Sequence, residues 1–205
     1  IPKAQPQVAK VIANTDPKNQ GRIQVQFDWQ NGGSKSEFIR VMTPDAGGSE
    51  KVNTNRGFMA IPEVGDQVMV AFQHNHPDRP FVMGGMFHGK VGVGGGPSNN
   101  VRSFSSKSGN IIQLNDGAGI EIKDKNKNHV TLDGDGNLNT FLKLNNIQEI
   151  GKSLNINVGK GQATMTMDNE GKIAVKSTQE ISFTTGNSSI TLNQEGKIII
   201  NGLNI

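Results

Sequence analysis

The chain has 205 residues, a formal net charge of +3 at pH 7 and no cysteine. The length allows one or two domains, the charge is too small to indicate nucleic-acid binding, and disulfides and thiolate metal sites are excluded. Hydrophobic residues make up 33% of the chain and glycine 26 positions, so we expect a thin core spread along its length. No stretch approaches the ~20 apolar residues of a membrane span. The start at Ile1, without Met or an apolar leader, favours a piece of a longer protein.

Roughly the first ninety residues predict short β-strands separated by turns. Apolar and polar residues alternate in period two, which is the strand pattern, and no window has a helical stripe. Asp-Pro at 16–17 and Gly21 indicate a first turn, and residues 43–56 a polar loop. The predicted strands are 8–13, 22–29, 37–42, 67–72 and 81–87. Such strands indicate a small closed barrel, with Gly84 and Gly85 at a corner or a bulge.

Aromatic side chains recur within this predicted barrel. They could stack nucleic-acid bases, as in barrels that bind single strands. However, they fall in the alternating rows that should form the core, so we expect them to pack inside. They are Phe27, Trp29, Phe38, Phe58, Phe72 and Phe81.

A glycine-rich segment follows the barrel. Residues 91–98 read VGVGGGPS, without apolar periodicity, which is typical of a flexible linker. The segment does not complete a dinucleotide-binding glycine pattern, and no helix is predicted after it. We therefore predict a barrel domain at 1–90, a linker at 91–104 and a repeat domain at 105–205.

The rest of the chain repeats one short pattern, at 114–120, 132–138, 167–173 and 192–198. Each copy has an apolar residue, then Asn or Asp, then a glycine-containing turn, then a second apolar residue. Alternation on both sides of such a turn indicates a β-hairpin. Residues between the apolar ones, such as Thr166, point to the opposite face. The apolar face is predicted to hold Leu114, Ile120, Leu132, Leu138, Met167, Ile173, Leu192 and Ile198.

The predicted hairpins need a partner for their apolar face, because an isolated hairpin is marginally stable in water. Three chains wound around one axis would bury the apolar residues between chains. A sandwich formed by one chain would bury them between its own hairpins. Periodicity fixes the strand faces but not the partner, so both arrangements stay open at this point.

Two further motifs have simpler interpretations than a metal site. Asp133–Asn137 resembles a calcium loop, but Leu138 stands where that loop needs glycine, so a hairpin turn is favoured. His74 and His76 flank a turn beside Pro77, so exposed loop histidines are favoured over a metal pair. The sequence offers neither a strained nucleophile turn nor a buried carboxylate pair. We therefore expect no cofactor and no enzymatic activity.

The final residues break the alternation. Ile198, Ile199 and Ile200 are consecutive, and Leu203 and Ile205 follow a glycine. Consecutive apolar residues in a strand put some of them on the outer face. Exposed apolar surface beside open strand edges marks an interaction site. We predict a docking tip formed by Ile199, Ile200, Leu203 and Ile205.

Three motifs stand out as a set: a Gly-Arg strand within 16–29, a Pro-x-x-Gly-Asp-x-Val strand within 56–72 and Pro-Asp-Arg-Pro within 77–85. Together they resemble the spike barrel of VgrG proteins, the tip proteins of type VI secretion systems, which are related to the central spike of contractile phage tails. The resemblance implies an all-β fold: an N-terminal oligonucleotide/oligosaccharide-binding (OB)-type β-barrel followed by an intertwined trimeric β-helix, the needle. It therefore favours the trimer for the repeats.

The resemblance also implies a function. The chain would be a structural component of a contractile injection apparatus that punctures the target envelope and carries a cap or effector. Its partners would be two further copies, a tube (Hcp-like) protein and a baseplate reached through an N-terminal hub region, effector proteins and a PAAR-type cap at the docking tip. No nucleic-acid partner is expected. The spike would assemble in the bacterial cytoplasm and then be injected. The rival interpretation is an OB-barrel binding module, for an oligonucleotide or oligosaccharide, on a β-stalk.

Overall fold

The computed structural model describes residues 2–90, 92 and 94–202. Apart from a 3₁₀ turn at Gln73–Asn75, its regular structure is strand, which confirms the all-β prediction. The strands are β1 (Gln7–Ala13), β2 (Gln24–Phe27), β3 (Arg40–Val41), β4 (Ala46–Gly47), β5 (Arg56–Gly57), β6 (Gln67–Phe72), β7 (Pro80–Gly85), β8 (Val101–Ser105), β9 (Ile111–Asn115), β10 (Gly119–Lys123), β11 (His129–Leu132), β12 (Leu138–Phe141), β13 (Ser153–Val158), β14 (Ala163–Asp168), β15 (Ile173–Ser177), β16 (Glu180–Thr185), β17 (Ser188–Asn193) and β18 (Ile198–Asn201). Within the described ranges, no helix has the length and apolarity needed to cross a membrane.

The chain divides into two compact units, Ile1–Lys143 and Leu144–Ile205. The first unit contains the strands up to β12, which form a five-stranded barrel sheet, a short hairpin of β4 and β5, and a five-stranded meander of β8 to β12. The second unit contains two three-stranded meanders, β13–β15 and β16–β18. The domain limits predicted at 1–90, 91–104 and 105–205 stay predictions.

The barrel is a five-stranded sheet in the order β2-β1-β6-β7-β3. Its two outer strands meet through a bridge between Ile23 and Ile39, whose backbone N–H groups each donate to the other's carbonyl at 3.0 and 2.8 Å. The pair β3 and β7 is parallel, whereas the other neighbouring pairs are antiparallel. Closure removes the free edges that an open sheet would expose. The predicted small closed barrel is therefore confirmed.

The barrel core is formed mainly by β-branched side chains from alternating strand positions. Burying one Val or Ile side chain contributes roughly 1.5–3 kcal/mol relative to leaving it exposed, so this cluster is the main source of the barrel's stability. The buried cluster is Ala9, Val11, Ile23, Val25, Phe27, Ile39, Val68, Val70 and Val82.

Of the six aromatic residues predicted to pack in the core, two are exposed, and Phe38, Phe72 and Phe81 are only half-buried. Trp29 is 64% exposed and Phe58 50% exposed, whereas Phe27 is buried. The strand β2 ends at Phe27, whose carbonyl accepts a hydrogen bond from the N–H of Gln30 in a turn. Because the chain turns there, the alternation does not carry on to Trp29. The Trp29 ring stacks on Phe27 instead, with centroids 5.6 Å apart.

Two local features of the barrel concern glycines and loops. Val68 pairs with Gly85 and Met69 with Gly84, but Val70 pairs with Val82, so Met83 is an extra residue on β7. This bulge confirms the irregularity predicted at Gly84 and Gly85.

The segment 43–56, predicted as a loop, contributes β4 and the first residue of β5 to a hairpin. Strands of two residues carry no alternation, and for this reason the sequence pattern missed them.

Five of the turns between β8 and β18 share one design. A Ser, Asp or Asn side chain at the first position accepts a hydrogen bond from the backbone N–H four residues later, as from Asn137 to Asp133 at 3.1 Å. The fourth position has a positive φ, which glycine adopts without steric cost. The first positions are Ser106, Asp124, Asp133, Asp168 and Asn193. The fourth positions are Gly109, Lys127, Gly136, Gly171 and Gly196. The hairpin turn predicted at Asp133–Asn137 is confirmed.

Candidate assembly surface

The meander of β8 to β12 has one strongly apolar face. Strand register aligns the residues of the predicted apolar set into a straight row across four strands: Leu114, Ile120, Leu132 and Leu138. A second row beside it contains Phe104, Ile112, Ile122 and Val130. Cross-strand neighbours of this kind interact directly, because their Cβ atoms are about 4.5–5.5 Å apart. The sequence pattern therefore identified one complete row of this face.

The two meanders of the second unit repeat the arrangement. In the first of them, Leu154, Met167 and Ile173 form one row. In the second, Leu192 lies between its register partners Ile181 and Ile198. Each meander also has a second row; these contain Ile156, Met165 and Val175 in one and Phe183, Ile190 and Ile200 in the other. The predicted residues Met167, Ile173, Leu192 and Ile198 thus each lie on an apolar face.

Some members of these faces were missed from the sequence. Phe104, Leu154, Ile156 and Phe183 lie on β8, β13 and β16, the strands that precede the repeated turn pattern. The signal that could have found them is the period-two alternation in those strands, such as Leu154 and Ile156 within Ser153–Val158. We define the apolar rows as the two rows of each of the three meanders.

The apolar rows are open to solvent in the single chain. Leu138 is 65%, Ile173 68% and Ile198 69% exposed. The described residues from 94 to 202 include no buried side chain. In β9 to β11 the side chains of the opposite face are less exposed than those of the apolar rows. For example, Gln113 is half-buried, whereas Leu114 beside it is exposed. Soluble single chains rarely expose contiguous apolar patches of this extent, and a sandwich within one chain would have buried them.

The opposite face of the meanders is mostly polar. In the first meander, Glu121 lies between its register partners Gln113 and Thr131. In β14, Thr166 pairs with Asn155 on one side and Ala174 on the other. Polar and charged residues on an outer sheet face keep it soluble and oppose edge-to-edge pairing. The strand register places Met167 and Thr166 on opposite faces of their meander.

The residues of the predicted docking tip occupy different positions. Ile199 lies on the polar face opposite Thr191 and is 48% exposed. Ile200 lies in an apolar row, opposite Ile190. Leu203 and Ile205 are outside the described residues.

No histidine site is assembled from the loop residues. His74 has a positive φ of 54° in the 3₁₀ turn, and the Nδ1 of His76 lies 3.9 Å from a carboxylate oxygen of Asp78. Among the described residues, no group of three His, Asp or Glu side chains is placed to hold a metal ion.

Comparison with known proteins shows which family the barrel matches. Residues 7–87 match the model of the type VI secretion system/phage-baseplate injector OB domain. The chain is 31% identical over 136 residues to the type VI secretion system spike protein VgrG1a of Pseudomonas aeruginosa, covering 58% of this chain and 19% of that protein. It is 36% identical over 74 residues to the spike protein VgrG3 of Vibrio cholerae, covering 34% of this chain and 7% of that protein. Over its barrel, the chain is similar to the spike proteins of the VgrG family.

The chain spans less than a fifth of the length of the curated relatives it matches. A further relative is the actin cross-linking toxin VgrG1 of Vibrio cholerae, which is 35% identical over 72 residues, or 33% of this chain and 6% of that protein. The family match lies on the closed barrel, so the barrel is of the OB type predicted from the motifs.

The first VgrG motif stabilises the loop between β1 and β2. The Asp16 carboxylate is buried and accepts hydrogen bonds from the backbone N–H groups of Lys18 and Gln20, each at 3.0 Å. The Arg22 guanidinium completes the cluster with two hydrogen bonds of 2.8 Å. The side-chain hydrogen bonds from Arg22 hold the pKa of Asp16 far below its ordinary value, although burial opposes the shift. Gly21 between them has a positive φ of 66°, so the motif needs glycine there.

The second VgrG motif forms a turn before β6 that is hydrogen-bonded to β1. The Asp66 carboxylate accepts a hydrogen bond from the N–H of Glu63 at 2.9 Å. Backbone bonds join Val11 to both turn residues: its N–H donates to Asp66 and its carbonyl accepts from Gly65, each at 2.9 Å. The family motif is therefore a turn that locks β6 against β1.

Proposed function

We propose that this chain is the barrel and shaft of a type VI secretion spike, a structural homotrimer that punctures the target envelope. The family relationship supports a role as a spike component. The observation that carries the trimer is the set of apolar rows, which are exposed on all three meanders of the single chain. Three copies around one axis give each row partners from two other chains, whereas the polar faces stay in water.

The proposed mechanism is mechanical and involves no enzymatic step in this chain. Burial of apolar area stabilises by roughly 25 cal/mol per Å², so long rows shared by three chains would give a stiff shaft. Rigid, closely packed interiors transmit force without local collapse. The intertwined trimeric β-helix is the proposed form of that packing.

The proposed partners follow from the family. A tube (Hcp-like) protein and the baseplate would hold the spike through a hub region outside this sequence, and effector proteins would travel with it. A PAAR-type cap would sit at the end of the shaft near β18, where Ile199 is an apolar side chain on an otherwise polar face. The spike would assemble in the bacterial cytoplasm and leave the cell when the apparatus contracts.

Solution mass tests the trimer. Light scattering coupled to gel filtration should give three times the 22.0 kDa of one chain, with no change on dilution to micromolar concentration. A stable, folded monomer at that concentration would overturn the proposal, because the exposed rows would then need no partner.

Capture of a purified PAAR-type cap tests the docking tip. Ile199→Asp should weaken cap capture while leaving the trimer mass unchanged. Ala174→Asp is the matched control, since Ala174 lies on the polar face of an earlier strand. Deletion of residues 202–205 should also abolish capture. If both tip variants still retain the cap, the contact lies elsewhere on the spike.

A further inference from the structure

The barrel has an open groove, of about 960 Å³, on one side. Its walls come from the β1–β2 loop, which supplies Gln20 and Arg22, and from the β6–β7 loop, which supplies Asp78 and Arg79. Its floor includes Phe38 beside β3. The volume is at the upper end of the roughly 300–1,000 Å³ of ligand pockets. OB barrels that bind polymers use the face of their second and third strands with these two loops, so the groove is in the position of a ligand site.

The groove is open because the parallel ladder between β3 and β7 is short. It contains the pairs Arg40 with Phe81 and Val41 with Val82. The next position on β7 is Pro80, which has no N–H to extend the ladder. The chain segments on either side therefore separate at this point, and side chains from both line the space between them.

Aromatic rings form the apolar part of the groove. Phe72 and Phe38 are half-buried and line it, and Phe72 stacks on Phe27 with centroids 6.2 Å apart. Trp29 also stacks on Phe27, with an interplanar angle of 8°. Its indole N–H donates to the Gln7 side chain at 2.6 Å, which fixes the ring. Flat aromatic faces can receive the apolar C–H face of a sugar ring as well as a base.

The charges of the groove favour a neutral ligand over a polyanion. Arg22 is neutralised by buried Asp16. The remaining charges are two cations, Arg40 and Arg79, and two carboxylates, Glu37 and Asp78. Polyanion binding depends on a surplus of positive charge that displaces counterions, and this groove has none. Planar guanidinium and carboxylate groups instead suit paired donors and acceptors such as neighbouring hydroxyl groups.

We propose that this groove binds a neutral oligosaccharide strand, with sugar rings on Phe38 and Phe72 and hydroxyl groups hydrogen-bonded to Arg40, Arg79 and the facing carboxylates. This activity is separate from the mechanical role of the shaft. It would give the barrel an affinity for glycan.

Calorimetric titration of the full chain with cellotetraose and chitotetraose tests the proposal, with Trp29 fluorescence as a second readout. At least one tetrasaccharide should bind, with an affinity that does not change between low and high salt. Arg79→Ala and Phe38→Ala should each weaken binding about tenfold, as expected for the loss of one charge-assisted hydrogen bond or one stacked ring. Lys10→Ala, an exposed change on β1 away from the groove, should leave affinity unchanged.

Two kinds of result would overturn the proposal, one concerning sugar binding and one concerning nucleic acid. One is that neither tetrasaccharide binds at millimolar concentration, or that binding persists undiminished in Arg79→Ala. Because Arg79 is exposed, that variant should remain folded even if Phe38→Ala does not. The other is salt-sensitive binding of a short oligothymidylate without sugar binding, which would assign the groove to nucleic acid instead.

Discussion

Asp16 and Arg22 form a two-point ion pair, in which Nε and Nη2 of Arg22 each lie 2.8 Å from one oxygen of the Asp16 carboxylate. Both residues lie in the loop that joins β1 to β2. The carboxylate also accepts the N–H groups of Lys18 and Gln20. One side chain therefore fixes the whole loop, which forms a wall of the open groove.

Asp16→Asn should lower the thermal midpoint of the barrel. The amide loses the charge that Arg22 faces, and its NH₂ group cannot accept the hydrogen bonds that one carboxylate oxygen now receives. Circular dichroism and Trp29 fluorescence would follow the melt. Asp28→Asn is the control, because Asp28 is exposed next to the same strand. An equal loss in both variants would contradict the role of the ion pair.

The same pair predicts a pH dependence. The pKa of Asp16 is lowered in the folded chain, chiefly by the Arg22 side chain, so the unfolded state binds the proton more readily. Stability from this group is therefore fully present above about pH 4, near the unfolded pKa of an aspartate, and is lost as the pH falls below it. Urea titrations at several pH values should show this loss. The Asp16→Asn variant should lose less stability over the same range.

Met167→Asp should disrupt the trimer proposed for the repeats. Met167 lies in an apolar row between Leu154 and Ile173, so three copies would place three carboxylates in a dry interface. Burying an unpaired charge costs several kcal/mol, and the three charges would also repel one another. Thr166→Asp changes the neighbouring residue on the polar face and should be nearly silent. Mass and thermal melts that show equal damage in the two variants would contradict the assignment of faces.

Lys127→Gly should stabilise the β10–β11 turn. Lys127 has a positive φ of 71° at the position where the other four turns of this design have glycine. Relief of the left-handed conformation is worth about 1 kcal/mol. The control is Lys125→Gly in the same turn, at a residue without a positive φ, which should be neutral or destabilising. Chemical denaturation would measure the difference, and a loss of stability in Lys127→Gly would contradict the turn geometry.

Asn128→Ala should destabilise the first meander. The Asn128 side chain accepts the N–H of Lys143 at 2.8 Å and donates to the Asp124 carboxylate at 2.9 Å. Loss of both bonds should cost roughly 1–2 kcal/mol in the free energy of unfolding. Asn126→Ala is the control, because Asn126 contributes its backbone N–H to the same carboxylate and keeps it after the change. Hydrogen exchange at Lys143 would report the loss locally.

The sequence by itself determined which side chains of the repeats share a face. Period-two alternation and the recurring turn from Asp or Asn to glycine are local properties, so the pattern alone places Met167 and Ile173 on one face and Thr166 on the other. Turn chemistry is equally local, because a carboxylate or amide reaches the N–H groups of its own turn. The hydrogen bonds of Asp16 are also local, because they are all made within residues 16–22. A motif in the sequence could therefore indicate the barrel family.

The tertiary structure decided how the barrel closes and what lies outside its core. Closure depends on the bridge between Ile23 and Ile39 and on the parallel pairing of Arg40 with Phe81. Every strand carries the same backbone donors and acceptors, so no residue pattern selects these partners. Trp29 follows the pattern of the core yet lies outside it, because the strand ends at Phe27 while the alternation continues. Strand faces follow from the fixed geometry of successive residues, whereas pairing and burial depend on the path of the whole chain.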